Sequence, residues 1–158
     1  MASRVPMTQQ GYEALKDTLQ RLKTVERPQN VKDIEEARAH GDISENAEFH
    51  AAKERQAMIE GQIAMTEDKL ARAQVIDPTG QTPDKVRFGA TLQLEDIQTG
   101  EKVRYRIVGE DEADVSQGLI SVTSPVAQAL MNREVNDEVT VRVPKGTREF
   151  EILEIRFE

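Results

Sequence analysis

The chain has 158 residues, enough for one ordinary domain or two small ones, with 32% charged residues and a net charge of −8. An acidic chain does not hold nucleic acid through its phosphates unaided, because that needs an excess of Lys and Arg. It has no cysteine and only two histidines, which excludes disulfides, thiol chemistry and Cys- or His-rich metal sites. Aromatic residues are 4% and tryptophan is absent, so base-stacking platforms are not expected. Residues Met1 to Gln10 lack the apolar run of a signal peptide, and no stretch approaches the ~20 apolar residues of a membrane span. The expectation is a cytoplasmic protein with no membrane partner.

Thr8 is placed to cap a helix beginning near Gln9, although Gly11 stands where a capping box wants Glu or Gln. Tyr12, Leu15, Leu19 and Leu22 recur at three- and four-residue steps, an amphipathic stripe. Pro28 lacks an N–H and disfavours helix at Arg27. This predicts a break or kink near Glu26–Arg27 and a second helix from Pro28 to His40, with Val31, Ile34 and Ala37 inward. After Gly41, the residues Phe49, Gln56, Ile63 and Leu70 are seven apart, and Ala52, Ile59, Thr66 and Ala73 form the alternate row. A heptad seam of about four repeats signals a coiled coil. The short turn between the two patterns makes it antiparallel, with arms of about 45 Å for about 30 residues each.

Asp77-Pro78-Thr79-Gly80 and Thr82-Pro83 mark a turn-rich linker. Beyond it the period becomes two. Val86, Phe88, Ala90, Leu92 and Leu94 alternate with polar residues as one strand, and Val103, Tyr105 and Ile107 follow as another after the turn Thr99-Gly100. Leu119 to Val122 is a short third strand. Ser124-Pro125 reads as a cap with proline at the first helical position, opening a short helix from Val126 to Met131. Val139, Val141 and Val143, a turn at Pro144–Thr147, and Phe150, Ile152, Leu153 and Ile155 form a terminal hairpin. The class is α+β: an antiparallel coiled-coil hairpin over residues 1–76, a linker over 77–84, and a mostly antiparallel sheet with one short helix over 85–158.

The stretch Gly41-Asp42-Ile43-Ser44-Glu45-Asn46-Ala47-Glu48 falls where the chain turns back. Glycine lets the first helix end. Asp42 is placed to cap the next helix, with Glu45 three residues on and facing the same way. One reading is a plain cap. The other is half of a metal site, since magnesium is held by one or two carboxylates with the remaining ligands supplied elsewhere. Glu48, one turn beyond, is an outer ligand or a surface charge. Arg38, His40, Lys53 and Arg55 surround the tip, either as a solvated face of weak pairs or as a basic patch for a phosphate backbone. His50 has no Asp partner or nucleophile to make it a base.

The run from Glu36 to Glu54 resembles the coiled-coil tip of the bacterial Gre transcript cleavage factors. Phe88-Gly89-Ala90-Thr91, the run Tyr105 to Asp114, and Ile120 to Pro125 resemble their C-terminal domain. The likeness covers nearly the whole chain. It implies a second domain with an FKBP-like fold that docks on RNA polymerase near its secondary channel, and a coiled coil that enters the channel. There Asp42 and Glu45 correspond to paired acids that help the polymerase hold its second, weakly bound Mg2+ and orient an attacking water at the 3′ end of backtracked RNA. The factor, a monomer that binds no cofactor alone, would lend ligands while the polymerase cleaves, so the resemblance implies a non-enzyme. Arg38 and Lys53 match a basic patch that contacts the RNA, with Arg55 nearby. Ser124 and Pro125 match a polymerase-docking loop, with Thr123 beside them. Ile43 stands where leucine is usual and Phe49 where tyrosine is usual. Three other readings are an inhibitory paralogue that plugs the channel, a prolyl isomerase and a plain coiled-coil interaction module. Both acids argue against the first, and scarce aromatics against the second.

Overall fold

Burial along the chain follows two periods, one helical and one of two residues, and these separate two sets of contacts. In a computed structural model describing residues 4–41 and 46–158, Tyr12–Ala73 form one unit, and Arg4–Gly11 with Gln74–Glu158 form the other. The N-terminal stretch Arg4–Gly11, assigned from the sequence to the hairpin, therefore contacts mainly the second half of the chain.

The first arm of the hairpin is α1 (Gln9–Arg21), a π-helical turn over Leu22–Glu26, and α2 (Arg27–Ala39). The break or kink expected near Glu26–Arg27 is a π-helical turn ending at Glu26, which interrupts the α-helix without ending the arm. The Arg27 N–H reaches back five residues to the Leu22 carbonyl, so the helix widens ahead of the proline. A widened turn relieves the clash of the proline ring with the carbonyl four residues back, and it absorbs the missing N–H without ending the helix. The extra residue per turn also moves the inner stripe. From Leu22 the inward positions run Glu26, Asn30, Ile34 and Ala37, and Val31, expected inside, is 45% exposed. Asn30 takes the inward place at 2% exposure, and its side-chain amide donates to the Ala52 carbonyl at 3.0 Å.

The second arm, α3 (Ala47–Arg72), buries the expected seam: Ala52, Ile59, Ile63 and Thr66 are buried, and Phe49, Gln56 and Leu70 half-buried. Leu22, Ile59 and Ile63 form its apolar centre with Leu19 against them. Ion pairs cross between the arms in antiparallel register, among them Lys23–Glu67 at 3.3 Å, Arg27–Glu60 at 2.7 Å and Arg55–Glu26 at 2.5 Å. Exposed pairs of this kind contribute up to about 1 kcal/mol each, so they fix register more than stability.

In the second unit, β1 (Val5–Met7) pairs with β2 (Ala73–Val75) as a two-stranded ribbon. The main sheet contains β3 (Thr91–Asp96), β4 (Lys102–Val108), β5 (Leu119–Ser121), β6 (Glu138–Val143) and β7 (Gly146–Arg156), in the order β5-β4-β3-β7-β6. All neighbours are antiparallel except β4 and β5. A short helix, α4 (Pro125–Leu130), contributes Ala127 and Leu130 to the core formed with Leu92, Leu94, Ile107, Phe150 and Ile152. The strand expected from Val86 begins only at Thr91. Val86, Phe88 and Ala90 are buried as foreseen, but Gly89 has φ +87°, which breaks the extended run, and its amide bonds to the Ile107 carbonyl. In β7 the inward positions step from Ile152 to Ile155. Gln93 faces Glu154 while Leu94 faces Ile152, so Leu153 is the extra residue of a bulge that restores the inward phase.

The gap in the capping box of α1 is filled from a distance. Thr8 caps the helix, its hydroxyl accepting from the Gly11 N–H at 3.1 Å. The carboxylate of Glu112, on a 3-10 turn over Glu110–Glu112, accepts from the Thr8 N–H at 3.0 Å, from the Gly109 N–H at 2.9 Å and from the Thr8 hydroxyl. A capping-box glutamate would take the same Thr8 N–H from position 11. A Cβ at Gly11 would lie 2.3 Å from the Glu112 Cδ, so glycine there leaves room for the substitute. Gly11→Ala and Glu112→Ala should each destabilise the fold by about 1–3 kcal/mol in urea unfolding, and Gly11→Glu should recover part of the loss in the Glu112→Ala background.

Asp96, 5% exposed at the end of β3, accepts from the amides of Gln98 (2.9 Å) and Thr99 (3.2 Å) and faces Arg148 at 3.4 Å. Burial opposes its ionisation, but the Thr99 and Gln98 amides and the Arg148 guanidinium outweigh that and hold the carboxyl below the ordinary aspartate value. Its stabilising contribution is present above the unfolded-state pKa of about 3.9 and is lost as pH falls through the lower folded value. Asp96→Asn should therefore flatten the acid limb of a thermal-stability profile below about pH 4.

Candidate functional site

Asp42 and Glu45, with Ile43 and Ser44 between them, lie outside the described residues, which resume on either side at Gly41 and Asn46. The first arm closes at His40, whose N–H bonds to the Ala37 carbonyl at 3.2 Å, and Gly41 follows with φ +127°, a conformation that favours glycine. The cap expected at Asp42 lies outside the described residues. The N-cap of α3 is Asn46, in extended conformation, with Oδ1 accepting from the Phe49 N–H at 3.1 Å. Asparagine is among the strongest caps. The acid in the first turn of α3 is accordingly Glu48.

Asn46 also uses its other side-chain atom. Its Nδ2 donates across the hairpin to the Ala37 carbonyl, in the last turn of α2. Arg38 lies over the Phe49 ring, its guanidinium carbon 5.9 Å from the ring centre, and the His50 ring meets Phe49 edge-on at 5.8 Å. Lys53 is exposed and donates to Gln56 at 2.8 Å on its own helix. Arg55 is instead paired with Glu26 on the opposite arm at 2.5 Å. Around the tip, Arg38 lies against Phe49 in the closing turns, Lys53 has no carboxylate partner among the described residues, and Arg55 pairs with Glu26 further down the arm. Asn46 was not singled out by spacing, although an asparagine three residues before the first inward residue of α3 is a recognisable cap signal.

In the second unit, Thr123, Ser124 and Pro125 form the link from β5 to α4. Thr123 is exposed; its N–H donates to the Ser121 hydroxyl at 3.1 Å, and the two hydroxyls lie 2.7 Å apart. The Ser124 hydroxyl accepts from the Ala127 N–H at 3.2 Å as the cap of α4. The Gln128 amide donates back to the Val122 carbonyl at 2.7 Å. Pro125 is exposed at the first helical position, where its missing N–H is not needed. The loop is thus held from within, with Thr123 and Pro125 presented outward. Among the described residues, no group of three or more His, Cys, Asp or Glu side chains comes together in a way that could hold a metal ion.

Comparison with known proteins bears on both units. Residues 5–75 match the family model "Transcription elongation factor, N-terminal", and residues 81–157 match "Transcription elongation factor, GreA/GreB, C-term". The chain belongs to the GreA/GreB family of transcription elongation factors. It is 60% identical to transcription elongation factor GreA of Anaeromyxobacter sp. (strain K) over 98% of this chain and 93% of that one. Identity to GreA of Trichlorobacter lovleyi is 54% over the full length of both. A solved structure of GreA factor homolog 1 (Gfh1) of Thermus thermophilus is 31% identical, covering 97% of this chain and 99% of that one, with a TM-score of 0.43. The family likeness read from the tip and docking motifs therefore extends through both units of the chain.

The bonds of the Thr123–Pro125 loop separate its structural from its presented residues. Ser124→Ala should cost about 1 kcal/mol in urea unfolding through loss of the cap, whereas Pro125→Glu, at an exposed first-turn position, should change stability by less than about 0.5 kcal/mol.

Proposed function

We propose that this chain is an accessory factor of bacterial RNA polymerase that stimulates the polymerase's own cleavage of backtracked nascent RNA and so rescues arrested elongation complexes. The observation that carries this reading is the match of both halves of the chain to the GreA/GreB models, together with the pair Asp42 and Glu45 in the turn between two antiparallel arms. The factor acts in the cytoplasm as a monomer. No helix among the described residues is long and apolar enough to cross a membrane.

Asp42 and Glu45 offer two hard oxygen donors, with Glu48 three residues further on, a donor set that suits Mg2+ held mainly by another molecule. At the polymerase centre that ion supplies charge neutralisation for the attacking and leaving oxygens of phosphoryl transfer. This chain's part is to bring the two carboxylates there and to orient a water by hydrogen bonding. Arg38 and Lys53 hold the phosphates of the extruded RNA, with Arg55 as a further cation along the arm. Thr123, Ser124 and Pro125 dock on the polymerase.

In a backtracked elongation complex, Asp42→Asn or Glu45→Gln should abolish stimulated cleavage while leaving competition for polymerase nearly intact; full cleavage by either variant would sink the metal-lending role. Pro125→Glu should weaken that competition. The isolated protein with Mg2+ and RNA should cleave nothing, and robust activity there would overturn the accessory assignment.

A further inference from the structure

The outward face of the main sheet carries a group of arginines used by neither the tip nor the Thr123–Pro125 loop. Leu92, Ile107 and Ile155 are buried on the core side. Alternation along β3, β4 and β7 then puts Thr91, Gln93, Arg104, Arg106, Glu154 and Arg156 on the other side. The register sets them in two adjacent rows, Arg106–Thr91–Arg156 and Arg104–Gln93–Glu154. Neighbours across such rows are about 5 Å apart at Cβ. Residues of both rows line a cleft of about 190 Å3, and Thr91, which lines it, is only 7% exposed.

The guanidinium donors of this face are incompletely matched. Arg156 Nε donates to Glu154 at 2.5 Å. Glu158 lies 3.3 Å from Arg104 Nη2 through both carboxylate oxygens and 3.9 Å from Arg156 Nη1. The Glu154 and Glu158 side chains are 42% and 49% exposed, and exposed pairs are weak enough to give way to a better acceptor. The Arg106 Nε is buried and has no hydrogen-bond partner among the described residues. A buried N–H without an acceptor is costly, so it marks a position for one. Three guanidiniums against two carboxylates leave one positive charge on the face, and two when Glu158 swings away.

We propose that this face binds a small phosphate-bearing anion: its phosphoryl group sits between Arg104 and Arg156 in place of the Glu158 carboxylate, with an oxygen reaching Arg106 Nε beside Thr91. The charge left when Glu158 moves matches a phosphate group carrying about two negative charges. Another carboxylate gains nothing over Glu158, whereas a phosphate presents three terminal oxygens to guanidinium forks on either side. The Thr91 hydroxyl and the Gln93 amide add neutral donors. The site uses none of Asp42, Glu45 and Thr123–Pro125, and it stands or falls independently of their proposed roles.

The test is an NMR titration of the full isotope-labelled chain with inorganic phosphate, pyrophosphate and ADP at constant low ionic strength, with succinate and chloride as controls. Amide shifts should saturate with the phosphates and be confined to residues 91–93, 104–106 and 154–158. The tightest of the three probes tells whether the source is a free phosphate or a nucleotide. Arg104→Gln and Arg156→Gln should each weaken binding about 10-fold, the effect of removing one charge-assisted contact. Glu158→Gln should tighten it about threefold by removing the competing carboxylate; arginines that serve only the sheet would not respond in that direction. Glu158→Gln alters only an exposed pair, so its result decides the matter even where an arginine variant fails to fold. Shifts that grow linearly and alike with phosphate, succinate and chloride overturn the proposal. Saturable binding that survives both arginine substitutions, or that weakens in Glu158→Gln, overturns it as well.

Discussion

A two-helix hairpin has one seam and nothing behind it. Each arm of residues 12–73 can bury only the narrow stripe that faces its partner, so its stability is thin and its register rests on a few directional contacts. Leu22, Ile59 and Ile63 supply the apolar centre, and a seam of small and polar residues would tolerate sliding. Asn30 on the Ala52 carbonyl, Asn46 on the Ala37 carbonyl and the ion pairs between arms define one alignment. The buried asparagine plays the part that single polar seam residues play in coiled coils, where register is gained at some cost in stability.

The widened turn at Leu22–Glu26 belongs to the same constraint. A proline in the first arm would normally end a helix. Accommodating it by a π turn keeps the arm continuous and rotates everything beyond it by a fraction of a turn. Asn30, Ile34 and Ala37 then face α3, and Val31 faces out. With a different phase, the last turn of α2 would offer another carbonyl to Asn46. The contact of Asn46 with the first arm thus depends on a backbone adjustment several turns away.

The second unit solves a different problem. A five-stranded sheet with one short helix has ample core, and the loop proposed to dock, Thr123–Pro125, is held in place without being buried. The Ser124 cap, the paired hydroxyls of Ser121 and Thr123, and the reach of Gln128 to Val122 provide that with side chains of the loop and its helix. Glu112 does the equivalent for the root of α1, completing from 104 residues away a cap that the local sequence leaves open.

The seam of α3, the Thr8 and Ser124 caps, the terminal hairpin and the α+β class were legible in the sequence, because each is local: heptad spacing, a hydroxyl before a helix, alternation bounded by a turn. The family motifs pointed in the same direction and were matched across both halves. The outcome of Pro28, the phase of α2, the break of the strand at Gly89 and the bulge at Leu153 were decided only in the fold, where backbone shifts of one residue answer to packing against a partner. The cap of α3 is Asn46, which bonds to both helices at once, and spacing along one helix does not reveal that. Residue types and periods therefore determined which elements this chain forms and which residues are proposed to carry its chemistry, whereas contacts distant in sequence decided how the elements are joined, since a hydrogen bond between Glu112 and Thr8 or between Asn46 and Ala37 exists only once the chain has folded back.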